Sequence, residues 1–470
     1  MFLCLLYVIF HRKITLDSSE RLYAYYGHNL HFYFLALLFP LALHAQSADQ
    51  KTGELLGGGD WFGLNCEYNQ IKDSKVEKEL VPNGGIPRSI LIVMAVTGGL
   101  TVANLYYNQP LLETMRQSLG ATELQANLIT FITQLGYALG LVFVVPLADK
   151  VSRRKIVSLN MSIAVACCIV IALAHSIWMV WAASILLGCN SVVPQMFIPV
   201  ANHFSKPENK SRNMGIVLTG LLSGVLGARV LSGYVGEWAG WRAMFGIAAV
   251  IMAISLVVIL RTLPVMASSF TGSYGKLMKS VVRIYLNYPP IRIYALRGGL
   301  SFGSMMAIWS CMAFHLAGEP FHAGSDAVGL LGLCGLAGAM AASGIGKYIP
   351  HFGIERFCYT GTALQLIAWA LALFLSDTYI GLILAIMFVD VGAQCQQLSN
   401  QSGCLGMVPE ATNRCNTVFM SHLFAGGSLG TLSAGVAWNN MGWTGVCLVG
   451  IAFASLSLVV SLIFTHHKSV

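Results

Sequence analysis

LQANLITFITQLGYALGLVFVVPL at residues 124–147 is followed by the basic turn ADKVSRRK (148–155) and by a second apolar stretch, IVSLNMSIAVACCIVIALA (156–174). About 20 apolar residues are enough to cross the hydrocarbon core of a bilayer as a helix. The same alternation continues along most of the chain, in which 10% of residues are charged, 56% are hydrophobic and the mean hydropathy is +0.68. An ordinary soluble domain has about 25% charged residues. The sequence therefore predicts an all-α polytopic membrane protein.

The apolar stretches fall into two sets, separated by the longest interior connection. We expect about twelve transmembrane helices in two six-helix bundles, at 86–261 and 291–466, joined by a basic linker at 262–290. No internal repeat is visible by eye, so the symmetry of the halves is inferred from the number of spans. The predicted spans are 89–109, 124–147, 155–174, 177–201, 213–235, 241–261, 291–316, 325–347, 356–375, 378–398, 415–437 and 442–464.

Lysine and arginine accumulate in alternate connections, whereas the other connections carry little beyond Arg116 and Arg242. Because these residues concentrate in cytoplasmic loops, both ends of the twelve-span region are expected in the cytoplasm. The formal net charge of +8 is therefore a sign of topology, and nucleic acid is not an expected partner. The residues concerned include Lys150, Arg153, Arg154, Lys155, Lys206, Lys210, Arg212, Arg261, Lys276, Lys279, Arg283, Lys347, Arg356 and Arg414.

The twelve cysteines are scattered, and most lie inside predicted spans. They form no CxxC pair and no Cys/His spacing typical of a metal site, so we interpret them as small buried apolar residues. The chain also lacks the P-loop and HExxH patterns. We therefore expect neither a metal nor a cofactor, and we do not expect an enzyme.

The first 85 residues do not fit the pattern of the remaining chain. Residues 31–45, HFYFLALLFPLALHA, are apolar but short for a span, and the AQSA that ends this run resembles a signal-peptidase site. A cleaved signal would place the next segment outside, against the charges of the loops. No methionine occurs between Met1 and Met94. We expect a mis-assigned start, with the true one at a non-ATG codon near residues 76–81; the alternative is a thirteenth membrane-associated segment.

The basic turn first quoted, with its preceding residues (145–155, VPLADKVSRRK), resembles the GxLaDrxGRR loop of the major facilitator superfamily. Asp149 and the basic cluster Arg153–Lys155 match that motif, while Val145 and Ser152 replace its two glycines. The stretch GLLSGVLGAR, ending at Arg229, resembles the glycine-rich fifth helix of bacterial efflux-type members. Further similarity to this subgroup lies in NLYYNQP (104–110), DVGAQ (390–394), SNQ (399–401), NRCN (413–416) and the segment from 426 to 443.

The resemblance extends from about Ser89 to Phe464 and implies the fold of this superfamily and transport of a small molecule. Members of the subgroup are described as drug or sugar (arabinose-type) efflux permeases. Two departures limit what carries over. Pro350 stands where the second half of the family usually has Asp, and Ala182–Ser184 occupy the place of an Arg found in proton-coupled drug antiporters. Proton coupling is therefore not implied by that motif.

Asp390 is the principal candidate for a functional residue. It stands about 12 residues from the outer end of the tenth predicted span, roughly at the membrane midplane at 1.5 Å per residue. A carboxylate there is costly unless it is paired, hydrated or protonated, which suits a reversible proton site. Gln394 and Gln397 share its helix face and are expected to line a cavity. The alternative is an Asp held by a structural amide or basic partner.

Arg229 and His422 are further ionisable residues inside predicted spans. Arg229 either attracts an anionic substrate group or pairs with a carboxylate, or else it extends outward as a helix-end anchor. His422 either shares the proton site or is a hydrogen-bonded structural residue. Polar candidates for the cavity wall, which alternatively hold helices together, are Asn104, Tyr107, Asn108, Gln134, Asn190 and Gln195.

Asp149 is expected to be a conformational latch with Arg153, Arg154 and Arg414. A carboxylate at the cytoplasmic mouth interacts favourably with the positive end of the helix that starts near residues 413–416. Such a latch would favour the outward-open state; the alternative is an ordinary surface salt bridge, which contributes little.

Together these features predict a secondary active transporter in a bacterial cytoplasmic (inner) membrane, working as a monomer by alternating access. The expected activity is proton-coupled efflux of a drug-like or sugar-like compound, with protons, the substrate and lipid as its partners. Proton-coupled uptake is the near alternative. A transporter-like sensor or scaffold without transport is the alternative from a different class.

Overall fold

The computed structural model describes residues 80–264 and 272–469. The apolar run at 31–45 lies outside these residues, and the expected start near 76–81 falls at their edge. Every regular element in the described part is an α-helix or a short 3-10 helix. The predicted all-α fold is therefore confirmed.

The first half contains eight helices. The helix that starts at Glu123 begins with a capping box, in which Thr122 and Gln125 satisfy each other's backbone N–H groups. The helices are α1 (Arg88–Ala103), α2 (Leu112–Leu119), α3 (Glu123–Phe143), α4 (Leu147–Lys150), α5 (Arg153–Ala172), α6 (Ile177–Asn190), α7 (Val193–Phe204) and α8 (Lys210–Thr262).

Seven helices follow, of which the first lies in the predicted linker and the other six form the second half. They are α9 (Tyr274–Asn287), α10 (Pro289–Ala317), α11 (Ser325–Leu331), α12 (Gly335–Phe352), α13 (Ile354–Phe374), α14 (Tyr379–Gly406) and α15 (Thr412–Ser469). The long α8 and α15 are each interrupted by one glycine, Gly240 with φ 83° and Gly442 with φ 59°. Glycine tolerates this left-handed conformation because it has no Cβ.

Nine helices among the described residues are long and apolar enough to cross a membrane. Two of them, Pro207–Thr262 and Pro409–Phe464, cover 56 residues each and hold two spans on either side of Gly240 or Gly442. The shorter α1, with 16 residues, continues through a turn and a 3-10 helix into α2 and forms one more span. The predicted twelve helices are therefore confirmed, and we number them spans 1–12 in chain order.

Three spans that the sequence analysis treated as continuous are interrupted part-way. Span 1 loses its α-helix between Ala103 and Leu112, span 4 between α6 and α7, and span 8 at a 3-10 turn, Gly332–Cys334. Pro110 and Pro194 contribute to the first two interruptions, since proline has no N–H to continue a helix. Irregular backbone at membrane depth is tolerated where protein or a cavity surrounds it.

The two halves use the same contact between their first and fifth spans. In the first half, a Cβ added to Gly224 would lie 2.1 Å from the carbonyl oxygen of Gly99. In the second half, a Cβ added to Gly426 would lie 2.2 Å from the carbonyl oxygen of Gly299. Only glycine permits such close approach of two helix backbones. This equivalence displays the pseudo-symmetry that was not visible in the sequence.

The halves meet through span 2 against span 11 and span 5 against span 8. We call the end of the bundle that holds α4, the start of α5 and the start of α15 the basic end. At the opposite end, Trp438 Nε1 donates to Glu123 Oε2 across 2.8 Å, and Asn127 Nδ2 donates to the Ser310 carbonyl across 3.2 Å. The opposite end is therefore closed by direct contacts between the halves.

The basic end holds a cleft of about 520 Å³, counting the space open to solvent. Its walls come from the end of span 2, from α7, from α9 and from the start of α15. The lining residues include Val145, Arg153, Gln195, Leu277, Val281, Asn413, Arg414 and Thr417.

Candidate functional site

Arg229 lies in the interior, at the interface between the two halves. Its side chain is 3% exposed, and its Nε donates to Gln109 Oε1 across 2.8 Å. Two aromatic rings cover the guanidinium: its central carbon lies 4.0 Å from the ring centre of Trp309 and 5.0 Å from that of Tyr106. Such cation–π contacts stabilise a desolvated guanidinium. Arg229 is thus buried among span 1 and span 7, away from the end of its helix.

Asp390 lies at the N–H edge of the same indole, and its Oδ2 and Arg229 Nη1 both lie within 4 Å of a Cβ added to Gly335. Trp309 Nε1 donates to Asp390 Oδ1 across 3.4 Å, and the Asp390 side chain is buried. In the part of the chain that the structure describes, no direct ion pair joins Arg229 to Asp390. Trp309 therefore contacts both the buried cation and the buried carboxylate, and these two charges also interact electrostatically without touching.

Both charged groups lie at the same depth. Arg229 lies about eleven residues before Gly240, and Asp390 lies about eleven residues after Tyr379. At 1.5 Å per residue, each is therefore about 16 Å from the opposite end of the bundle. Two of the interrupted spans reach this level. The 3-10 helix Gln109–Leu111 of span 1 supplies the partner of Arg229, and the glycine-rich turn at 332–334 belongs to span 8.

Glycines in span 8 allow both groups to approach its backbone. A Cβ added to Gly332 would lie 2.8 Å from the Arg229 Cβ, and one added to Gly335 would lie 3.0 Å from Asp390 Oδ2. Arg229 and Gln109 belong to the first half, whereas Asp390, Trp309 and Gly335 belong to the second. A relative movement of the halves would therefore separate the cation from the carboxylate.

Gln134 is a second polar contact between the halves. Its Nε2 lies 3.1 Å from Met306 Sδ, and its Oε1 accepts from Thr431 Oγ1 across 3.3 Å. Gln195 lines the basic cleft, and its Nε2 donates to Tyr137 Oη across 3.3 Å. These two predicted residues lie between helices that border the interface.

The other polar candidates of the first half make contacts within that half. Asn104 Nδ2 lies 3.5 Å from Ser191 Oγ, and Asn108 Nδ2 donates to Thr133 Oγ1 across 3.3 Å. Asn190 donates to the Leu186 carbonyl of its own helix across 2.8 Å. Tyr107 is buried.

Gln394, Gln397 and His422 are not brought to Arg229 by any contact in the described residues. Gln394 and Gln397 are half-buried. The ring of His422 stacks on Tyr285 of α9 with centroids 5.0 Å apart, and its Nδ1 lies 2.8 Å from the Val418 carbonyl. His422 therefore faces the linker helix rather than Asp390.

Two of the predicted latch residues, Arg153 and Arg414, both line the basic cleft. Arg154 instead donates to the carbonyl of Leu260, which joins span 3 to span 6. The side chain of Asp149, the centre of that prediction, lies outside what the structure describes.

Sequence reasoning missed three members of the site, Gln109, Tyr106 and Trp309. All three are uncharged residues in apolar surroundings, where composition carries no signal. The one available clue was the NLYYNQP motif at 104–110, which contains Tyr106 and Gln109. Groups of His, Cys, Asp and Glu that could hold a metal ion are absent from residues 80–264 and 272–469.

Comparisons with known proteins agree with this architecture. The chain is 34% identical over 379 residues to the uncharacterized transporter YgaY of Escherichia coli O157:H7, covering 81% of this chain and 96% of YgaY. It is 24% identical over 384 residues to the inner membrane transport protein YnfM of Escherichia coli K12, covering 81% of this chain and 90% of YnfM.

Two solved structures share the fold. The nucleoside transporter NupG aligns with a TM-score of 0.62 and 13% identity, over 81% of this chain and 99% of NupG. A bacterial homologue of the human lysosomal transporter Spinster, solved inward-facing and unoccupied, aligns with a TM-score of 0.60 and 14% identity, over 80% of this chain and 94% of the homologue. The family model of the Major Facilitator Superfamily matches residues 94–431. With the 34% identity to YgaY, this match shows that the chain is a membrane transporter belonging to the Major Facilitator Superfamily.

Proposed function

We propose that this protein is a proton-coupled secondary transporter of a small organic solute in a bacterial inner membrane, with Asp390 as the residue that takes up and releases the proton. The halves 86–261 and 291–466 move about the Arg229–Asp390 site, and 262–290 connects them on the cytoplasmic side. The loop charges and the similarity to the inner membrane protein YnfM support this location and orientation.

The observation that carries the proposal is the placement of a buried carboxylate and a buried guanidinium on opposite sides of the interface without a direct ion pair. In a medium of low dielectric constant, a charged Asp390 attracts Arg229 strongly. This attraction favours the arrangement of the halves that holds the two side chains close together. Protonation of Asp390 removes this attraction, so that the proton changes the balance between the two orientations. Proton binding is thereby linked to the movement that exposes the site.

The direction of transport follows from the charge of the solute. A neutral or cationic solute that competes with the proton at Asp390 is exchanged for it, which gives efflux of a drug-like or sugar-like compound by antiport. An anionic solute bound while Asp390 is protonated travels together with the proton, which gives uptake. The second candidate is favoured by one observation, the buried positive charge of Arg229 beside the carboxylate.

Proton movement in everted membrane vesicles tests the proposal. Vesicles containing the full chain, acidified inside and loaded with a pH-sensitive dye, are challenged with a panel of drugs, sugars and carboxylates. We expect at least one compound to change the internal pH in the wild type and to have no effect in Asp390→Asn. Asp377→Asn, an exposed carboxylate at the opposite end, is the matched control and should behave as the wild type.

An equal pH response in Asp390→Asn and in the wild type would refute the role of Asp390. Binding of a compound without any flux of compound or protons would support the transporter-like sensor instead. Accumulation of the labelled compound in vesicles of opposite orientation then distinguishes uptake from efflux.

A further inference from the structure

The Arg229 site presents several hydrogen-bond donors that lack acceptors. Among the described residues, only the Nε of Arg229 donates a hydrogen bond, and Nη1 and Nη2 have no acceptor. Gln109 uses its Oε1 on Arg229, and its Nε2 is buried without a hydrogen-bond partner. A buried donor left unpaired costs free energy, about 1–3 kcal/mol in typical proteins. Two adjacent residues that both leave donors unpaired indicate that a ligand supplies the acceptors.

The geometry restricts the direction from which that ligand can reach Arg229. The guanidinium carbon lies over the rings of Trp309 and Tyr106, 4.0 Å and 5.0 Å from their centres, and Gln109 occupies Nε. Nη1 and Nη2 are left for a ligand, and Nη1 lies toward Gly335, where an added Cβ would be 3.9 Å from Nη1 and 3.0 Å from Asp390 Oδ2. A guanidinium edge binds a planar carboxylate through two parallel hydrogen bonds better than any neutral acceptor.

We propose that the transported solute is a small organic carboxylate, bound by the Nη edge of Arg229 and by Nε2 of Gln109. This inference rests on the proposed function, in that Asp390 is the proton site beside it. It adds the substrate class and selects uptake with the proton over efflux.

The balance of charge at the site links the carboxylate to the proton. Arg229 and Asp390 together are neutral, and a bound carboxylate would leave one uncompensated negative charge in a buried site. Such a charge is strongly unfavourable. A proton on Asp390 restores neutrality, with no covalent bond formed apart from the O–H. Carboxylate and proton therefore bind to the same state and cross the membrane together.

Binding of matched ligand pairs to the purified full-length chain in detergent tests this inference. Benzoate with benzamide, and lactate with lactamide, differ in charge at nearly the same shape. We expect a carboxylate to raise the melting temperature and its matched amide to have no effect. The affinity for the carboxylate should increase as pH falls from 8 to 5.5, allowing for the pKa of the ligand itself.

Three variants identify the groups involved. Arg229→Gln removes the cation, and Gln109→Glu places a carboxylate beside Arg229 at the same side-chain length. Each should lower the affinity by about tenfold or more, as expected for a lost charge-assisted hydrogen bond. Arg356→Gln, which removes an exposed arginine, is the control and should bind as the wild type does. Because Gln109→Glu provides Arg229 with a charge partner, it should fold even if Arg229→Gln does not.

Asp390→Asn separates this inference from the proposed function. It should bind the carboxylate with an affinity that no longer depends on pH through the protein, since asparagine resembles the protonated acid. Carboxylate binding that depends on Arg229 but transport that needs no proton would refute the proposed function alone. The inference itself is overturned if no carboxylate binds, if amides bind equally well, or if Arg229→Gln and Gln109→Glu both leave the affinity unchanged.

Discussion

Trp309 donates its indole N–H to Asp390 across 3.4 Å, and the same ring lies 4.0 Å from the guanidinium carbon of Arg229. One side chain thus contacts the two buried charges that the halves contribute to the interface. Its hydrogen bond stabilises the charged carboxylate, and its face stabilises the cation. Under the proposed function, Trp309 is therefore a positioning residue for Asp390 rather than core packing alone.

Trp309→Phe separates these two contacts. Phenylalanine retains an aromatic face for Arg229 but removes the donor to Asp390. Since hydrogen bonds to charged groups contribute about 1.5–3 kcal/mol, we expect proton-coupled flux in proteoliposomes to fall by about tenfold or more. The melting temperature should fall as well, because the smaller ring leaves a cavity at a fully buried position, so flux is compared per amount of folded protein. Trp181→Phe, which removes an indole hydrogen bond to the Gln125 carbonyl far from the site, should retain flux. Equal flux in the two variants would contradict the role of Trp309.

The contact between Glu123 and Trp438 closes the opposite end across the two halves. In Glu123→Gln we expect more frequent opening at this end, because a charge-assisted hydrogen bond becomes a weaker neutral one. A cysteine introduced at Thr130, which is fully buried, reports this opening in a background without other cysteines. Its labelling by a membrane-impermeant maleimide should become about fivefold faster, corresponding to about 1 kcal/mol.

Glu113→Gln provides the control for this gate. Glu113 pairs with Arg116 and Gln117 within the first half, at 2.6 Å and 2.7 Å. Its loss should leave the labelling rate unchanged. Faster labelling in both variants would indicate a general loosening rather than a gate at Glu123.

The glycine contact between span 1 and span 5 predicts a difference between two alanine substitutions on one helix. A Cβ at position 224 would lie 2.1 Å from the Gly99 carbonyl oxygen, whereas among the described residues no neighbour outside the local helix backbone lies within 4 Å of a Cβ at position 227. We expect Gly224→Ala to lower the free energy of unfolding by about 1–3 kcal/mol or more through overpacking. Gly227→Ala should be neutral or slightly stabilising, since alanine favours helix. Thermal unfolding in detergent measures both, and equal melting temperatures would contradict the close contact.

Arg297 and Glu355 form an ion pair at the basic end of the second half, and we expect their contributions to stability to be coupled. Arg297 Nη1 lies 2.8 Å from Glu355 Oε2, with the arginine side chain fully buried and the glutamate 24% exposed. Removing one partner of a fully buried pair costs about 3–5 kcal/mol, and the partial exposure of Glu355 lowers this to about 2 kcal/mol. We expect Glu355→Gln to lower the melting temperature by several degrees.

A double-mutant cycle completes this prediction. Arg297→Met combined with Glu355→Gln should cost less than the sum of the single changes, because the unpaired charge is removed. Glu410→Gln, at an exposed position, should have no effect. Additive effects of Arg297→Met and Glu355→Gln would mean that the two side chains are not coupled.

Hydropathy and charge along the chain were enough to predict the helical class, the twelve spans and the alternation of basic loops. These are properties of contiguous stretches, because each span must bury its own backbone in lipid whatever its neighbours do. The same reasoning marked Arg229 and Asp390, since an ionisable residue inside an apolar run is costly and is retained for a reason.

The residues that contact Arg229 and Asp390 were decided by the packing of the helices in the tertiary structure. Gln109, Trp309 and Gly335 lie on three different spans, and their meeting depends on the rotation of each helix and on the interruptions at 104–111 and 332–334. Helix rotation depends on which small residues let backbones approach, as at Gly99 and Gly224, and these contacts join residues more than a hundred positions apart. For the same reason, Asn104 and Asn108 contact partners inside their own half, and His422 contacts the linker helix. Their residue types and their depth in the membrane nevertheless resemble those of the site residues.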